Sequence, residues 1–276
     1  MNMAVKPARR IALSLSHDHS HGPLGYLEMG RPAGPPVVFL HGFGADLLTW
    51  SLCLGPLARD YRLVALDLPG HGRTHPDVGD GTLAFMTGWL DEALDGLGLA
   101  SAHLVGHSMG ARIALGFVLS HPARVRSLSL IAPAGLGGDF PHDALSAFLD
   151  ANSPQAAEAL ARRLLGPRGQ PAAPALTRAL LEASGDPARH AALKKLLGQA
   201  RTYYMAPEGF DWSRVQCPVD ILWGDHDRLI PMPAPHRLPP ETPVRVIAGA
   251  GHLPHMEAPN AVAAALQAFL SKEFST

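Results

Sequence analysis

Ser108 is the residue of this chain whose surroundings most clearly predict chemistry. It is the centre of Gly106-His107-Ser108-Met109-Gly110, directly after the apolar run Ala102-His103-Leu104-Val105 and directly before the helix-like run Ala111 to Ser120. A serine hydroxyl is a weak nucleophile at its own pKa and needs a neighbouring base. A sharp strand-to-helix turn presents its central side chain to such a base, and glycines two residues to either side let strand and helix approach closely. The following helix adds positive partial charge and an unbonded N–H at Met109. This arrangement predicts attack on an acyl carbonyl.

Such a nucleophile needs an imidazole to take its proton, an acid to hold that imidazole, and donors for the developing oxyanion. The acid is expected in Gly224-Asp225-His226-Asp227-Arg228-Leu229-Ile230-Pro231, after the strand-like run Val219 to Trp223. The imidazole is expected in Gly249-Ala250-Gly251-His252-Leu253-Pro254-His255, after Val244 to Ile247. The donors are expected from His41-Gly42-Phe43-Gly44, after Pro36 to Leu40, where the Phe43 N–H would join that of Met109. The Phe43 ring is then left to line a pocket.

These loops need a scaffold that brings strand ends together. Aliphatic runs at Arg10 to Leu15, Leu24 to Met29, Pro36 to Leu40, Tyr61 to Asp67, Ala102 to Gly106, Ser127 to Ile131, Val219 to Trp223 and Val244 to Ile247 read as strands. Helical patterns fit Ala45 to Asp60, Thr82 to Leu97, Met109 to Ser120 and Pro259 to Lys272. The alternation predicts an α/β class: a mostly parallel eight-stranded sheet with helices on both faces. The first two strands have no helix between them, so an antiparallel edge hairpin is expected. From Leu136 to about Phe210 the rhythm stops, and helical spacing runs through Gln155 to Leu165, Pro174 to Ala183 and Pro187 to Ala200. That block predicts a helical cap, residues 136–210, inserted between core segments 1–135 and 211–276. A cap there sits above the carboxyl ends of the strands, where α/β sheets bind ligands. Tyr203, Tyr204, Met205 and Phe210, near its end, are candidate pocket residues.

With 276 residues, 47% hydrophobic, 17% charged and a net charge of -1, the chain can bury a large core and has no basic excess suited to nucleic acid. Neither an apolar run of about 18 residues nor an apolar segment after the basic amino end is present, so a cytoplasmic location without membrane partners is expected. Cys53 and Cys217 are too few for a disulfide framework and read as reduced, buried thiols. His17-Asp18-His19-Ser20-His21 reads as a solvated turn rather than a metal site, because no second cluster of matching spacing accompanies it.

From about Leu24 to Leu270 the chain resembles the α/β-hydrolase superfamily. The matching pieces are His41-Gly42-Phe43-Gly44, Asp67-Leu68-Pro69-Gly70-His71-Gly72-Arg73-Thr74, the turn at Ser108, a Gly-x-x-Asp-x-x-x-Pro block ending at Pro231, and a Gly-His-x-x-x-x-Glu-x-Pro block ending at Pro259. The resemblance implies an α/β-hydrolase fold and a triad of Ser108, Asp227 and His252, with oxyanion donors from Phe43 and Met109. The spacing to Pro231 selects Asp227 over Asp225, and the glycine-rich turn selects His252 over His255. It also makes the loop of Asp67 and His71 architectural, and His41 and His107 are expected to orient loops.

The run Leu104 to Gly137 is similar to the hydrolase-like domain of acetoin dehydrogenase acyltransferase subunits. Those carry a lipoyl domain of about eighty residues, whereas 23 residues precede Leu24 here, so acyl transfer from lipoamide is not expected. A serine rather than an aspartate at the turn argues against the dehalogenase and epoxide hydrolase branches, which use a carboxylate nucleophile. The expected activity is cofactor-free hydrolysis of a small-molecule carboxylic ester. Carbon-carbon bond hydrolases acting on vinylogous diketone acids are an alternative, with Arg162 and Arg163 as candidate carboxylate binders, although Leu253 stands where that branch commonly has Trp. A non-catalytic binding module of the same fold is the third reading.

Overall fold

The computed structural model describes residues 12–16, 20–136, 141–203, 210–239, 242 and 244–272. Eight strands form one sheet: β1 (Ala12–Ser16), β2 (Leu24–Gly30), β3 (Pro36–Leu40), β4 (Arg62–Leu66), β5 (Ala102–His107), β6 (Val125–Ile131), β7 (Val219–Gly224) and β8 (Val244–Ile247). Their order across the sheet is β1-β2-β4-β3-β5-β6-β7-β8. β2 runs antiparallel to both β1 and β4, giving the expected edge hairpin, and the remaining neighbours are parallel.

Both faces of the central strands are buried, so their sequences read as continuous apolar runs whose alternate side chains enter different cores. In β3, Val38 and Leu40 join the core beneath α2 (Leu83–Gly96) and α3 (Met109–Ser120). Val37 and Phe39 join the opposite core with α1 (Ser51–Leu57) and the last helix, Pro259–Leu270. The Thr82 hydroxyl accepts the Phe85 N–H at 3.2 Å and starts α2, as expected for an N-cap.

The helix expected from Ala45 to Asp60 is shorter and broken. A single 3-10 turn, Leu47–Trp50, precedes α1. Asp46 takes the Leu48 N–H and Asp67 takes the Leu47 N–H, so Ala45 and Asp46 belong to the preceding loop. Between β6 and β7 lie α4 (His142–Leu149), α5 (Pro154–Leu164), α6 (Ala173–Ser184) and α7 (Pro187–Tyr203), with no strand among the described residues. The helix α4 was not separately predicted, because its eight residues give little more than two turns of periodicity. The two cysteines form no disulfide; Cys53 is buried and Cys217 is half-buried rather than buried.

Candidate active site

Ser108 sits between β5 and α3 with φ 52° and ψ -113°, a strained backbone for a residue with a Cβ. Its neighbours hold it there: the Ser108 N–H donates to Ile131 O at 2.9 Å, and its carbonyl accepts from Arg112 and Ala134, each at 3.1 Å. The flanking glycines are sterically required. A Cβ at Gly106 would lie 2.5 Å from Ala111 Cα, and one at Gly110 would overlap the carbonyl oxygens of Leu40 and His41.

The loops after β7 and β8 bring the other side chains to this turn. His252 Nε2 is 3.0 Å from Ser108 Oγ, and His252 Nδ1 is 2.8 Å from Asp227 Oδ2. The second oxygen of Asp227 accepts the N–H groups of Leu229 and Ile230 at 2.9 and 2.8 Å, which fixes the carboxylate plane. Ser108, Asp227 and His252 are all buried, so water competes weakly for these bonds. Asp225 points elsewhere, to His226 Nδ1 and the Gly249 N–H. His255 lies beneath the site, its Nε2 2.8 Å from Thr49 Oγ1.

The loop bearing Phe43 is clamped by three buried side chains, His41 at its start and His71 and Asp67 from the loop after β4. His41 donates from Nδ1 to Gly42 O and accepts the Leu68 N–H at Nε2. His71 accepts the Gly44 N–H, and Asp67 accepts the N–H groups of Leu47 and Arg73. Burial lowers the pKa of His41 to about 4, and burial holds His71 well below its ordinary range, so both remain neutral and able to accept. Burial raises Asp67 to about 6 despite the N–H bonds that oppose the shift. Among the described residues, the N–H groups of Phe43 and Met109 have no intramolecular acceptor. Gly42 permits this approach: a Cβ there would lie 2.7 Å from His107 Nδ1 and 3.2 Å from Ser108 Cβ.

His107 packs against both neighbouring imidazoles and donates from Nε2 to the His252 carbonyl at 2.8 Å. Glu257 was visible in the sequence only as a motif letter. Its carboxylate accepts the N–H groups of Gly166 and Gly251, each at 2.8 Å, tying the α5–α6 connection to the His252 loop.

Ser108 opens onto two cavities. The larger, about 430 Å³, is bordered by His252, Leu253 and Met256, by Leu176 and Leu180 of α6, and by Arg189 of α7. The smaller, about 30 Å³, is bordered by Met109, Ile230 and Leu196, and Phe43 lines both. Arg162 and Arg163 are exposed and absent from either lining; Arg162 pairs with Glu158 one helical turn away. Arg189 is the guanidinium that reaches the site. It donates to the carbonyls of Gly44 and Ala45, while its buried Nε has no protein partner. Phe210 is turned against Trp212, with ring centroids 4.7 Å apart, and lines neither cavity. The Tyr203 side chain, Tyr204 and Met205 lie outside the described residues. His17 and His19 do too, and His21 packs edge-on to Phe85.

The comparisons agree with this architecture. Residues 37–265 match the Alpha/beta hydrolase family, and the chain belongs to it. It is 34% identical to the dihydrolipoyllysine-residue acetyltransferase component of the acetoin cleaving system of Cupriavidus necator over 236 residues, 81% of this chain and 60% of the relative. Against the component of the same name from Pseudomonas putida it is 37% identical, over 90% of this chain and 67% of the relative. It therefore spans about three fifths to two thirds of those relatives. The solved structure of a bacterial membrane phospholipase A superposes with a TM-score of 0.80 at 26% identity, covering 98% of this chain and 87% of the other. Among the described residues no helix is long and apolar enough to cross a membrane.

Proposed function

We propose that this α/β hydrolase is a serine esterase that cleaves a small-molecule carboxylic ester through an acyl-enzyme. The observation that carries the reading is the continuous buried chain from Ser108 Oγ to His252 Nε2 at 3.0 Å and from His252 Nδ1 to Asp227 Oδ2 at 2.8 Å. In this reading His252 takes the Ser108 proton as the oxygen attacks the carbonyl, and Asp227 stabilises the imidazolium. The oxyanion rests on the Phe43 and Met109 N–H groups. His252 then returns the proton to the departing alcohol, and the same imidazole activates the water that releases the acid. Every proton is carried by these residues, and the mechanism calls on no cofactor. The helices of residues 136–210 act as the cap over the two core segments, since α4, α6 and α7 all border the cavities. The likeness to a phospholipase A supports ester cleavage as the reaction class.

Incubation with a fluorophosphonate followed by peptide mass spectrometry tests the reading. The adduct is expected on Ser108, with loss of p-nitrophenyl acetate turnover in Ser108→Ala. An unlabelled Ser108, or full turnover in that variant, overturns it.

Arg189 sustains a second reading. It lines the same cavity as Ser108, and a guanidinium there suits a substrate carboxylate, as a carbon-carbon bond hydrolase acting on a vinylogous diketone acid requires. Faster turnover of such an acid than of any ester would favour that reading.

A further inference from the structure

The two cavities flanking Ser108 differ more than tenfold in volume, and only the larger is bordered by His252. Resting on the esterase reading, we infer that the enzyme is selective for short acyl groups on bulky alcohols: acetyl or propionyl esters whose leaving group fills the larger cavity.

The assignment follows from the four substituents of the tetrahedral intermediate. One is Ser108 Oγ, and a second is the oxyanion, held by the Phe43 and Met109 N–H groups. The third is the leaving oxygen, which must lie within hydrogen-bond reach of His252 Nε2 to receive its proton. The alcohol therefore occupies the space that His252 borders, about 430 Å³ lined by side chains of α4, α6 and α7. The fourth substituent, the acyl chain, is left with the space at Ser108 that His252 does not border. That space is about 30 Å³ and almost wholly apolar. At roughly 10–15 Å³ for each water-sized group, it accepts two or three heavy atoms.

Three sides of the small cavity resist expansion. Met109 belongs to the first turn of α3. The Phe43 loop is clamped by His41, His71 and Asp67. Ile230 is held by its N–H bond to Asp227 and by the Trp223 indole N–H on its carbonyl at 2.9 Å. The rest of the wall is Ala134, Leu145 of α4, and the α7 face carrying Leu196 and Ala200. Leu196 is the large side chain that α7 contributes, so shortening it lengthens the acyl space.

An isomeric pair of esters isolates the effect. Hexyl acetate and ethyl hexanoate have the same atoms and nearly the same polarity, with the long chain on opposite sides of the carbonyl. The native enzyme is expected to show a kcat/KM at least tenfold higher for hexyl acetate. Leu196→Ala should raise the hexanoate-to-acetate ratio at least tenfold, and the native comparison stands even if that variant fails to fold. An enzyme labelled at Ser108 that hydrolyses both isomers equally, prefers the hexanoate or hydrolyses neither overturns this inference alone. Absence of both labelling and turnover overturns the esterase reading and this inference with it.

Discussion

Asp227→Asn probes the site without changing its shape, and the structure dictates the outcome. Two backbone N–H groups, those of Leu229 and Ile230, converge on Asp227 Oδ1 at 2.9 and 2.8 Å. Only an acceptor satisfies both, so the asparagine must place its carbonyl oxygen there and turn its NH2 group toward His252 Nδ1. His252 Nδ1 then becomes an acceptor, and the ring proton moves to Nε2, 3.0 Å from Ser108 Oγ. A protonated Nε2 cannot take the serine proton. The wrong tautomer in an otherwise intact triad costs about 10⁴ in kcat, or ~5 kcal/mol at about 1.4 kcal/mol per decade. The assay is steady-state hydrolysis of p-nitrophenyl acetate, with thermal melting as the check on folding. Asp225→Asn is the matched control: Asp225 bonds His226 and Gly249 rather than His252, and turnover within threefold of native is expected. A folded Asp227→Asn enzyme within tenfold of native turnover would refute the assignment of Asp227 and the tautomer argument together.

Gly42→Ala puts a methyl group 2.7 Å from His107 Nδ1 and 3.2 Å from Ser108 Cβ, neither of which can retreat. The loop must shift and carry the Phe43 N–H off its target; kcat should fall about 10²- to 10³-fold, and a fall below threefold contradicts the oxyanion role. Stability should drop as the medium is acidified. His41 and His255 are held neutral by burial, with pKa values lowered to about 4 and about 3, whereas the unfolded chain protonates its histidines near 6.5. Their contribution is complete above pH 6.5 and is lost below it at about 1.4 kcal/mol per pH unit each. Asp67 runs the other way, its pKa raised from 3.8 to about 6, and burial also raises Asp220 and Glu257; these three add stability as pH falls, against five histidines, since burial lowers His71, His103 and His107 as well. Melting temperatures measured at pH 7.5, 6 and 5 should therefore decline, and a flat or rising series would refute the burial argument.

The order of strands and helices is largely legible in the sequence, because continuous apolar runs bounded by glycine-rich turns are a local signal. The same holds for the turn at Ser108, whose glycines answer to contacts only a few residues away. Helix boundaries were less legible. Asp46, read as helical, is instead the cap of a short 3-10 turn, a choice made by the buried Asp67 carboxylate, which takes the N–H of Leu47 from twenty residues later in the chain.

Residue types and motif spacing, read with the resemblance to α/β hydrolases, pointed to the serine, acid and imidazole proposed for the site, since each sits on a loop directly after a strand and strand ends in a parallel sheet share one edge. Tertiary packing decided what surrounds them. Helical periodicity shows that Arg162, Arg163 and Arg189 are on helices, but which one reaches the Ser108 cavity depends on how α5 and α7 are rotated against the core. The turn of Phe210 onto Trp212 and the unequal volumes on either side of Ser108 have the same origin. Both are set by contacts between segments distant in the chain, for which local spacing carries no information.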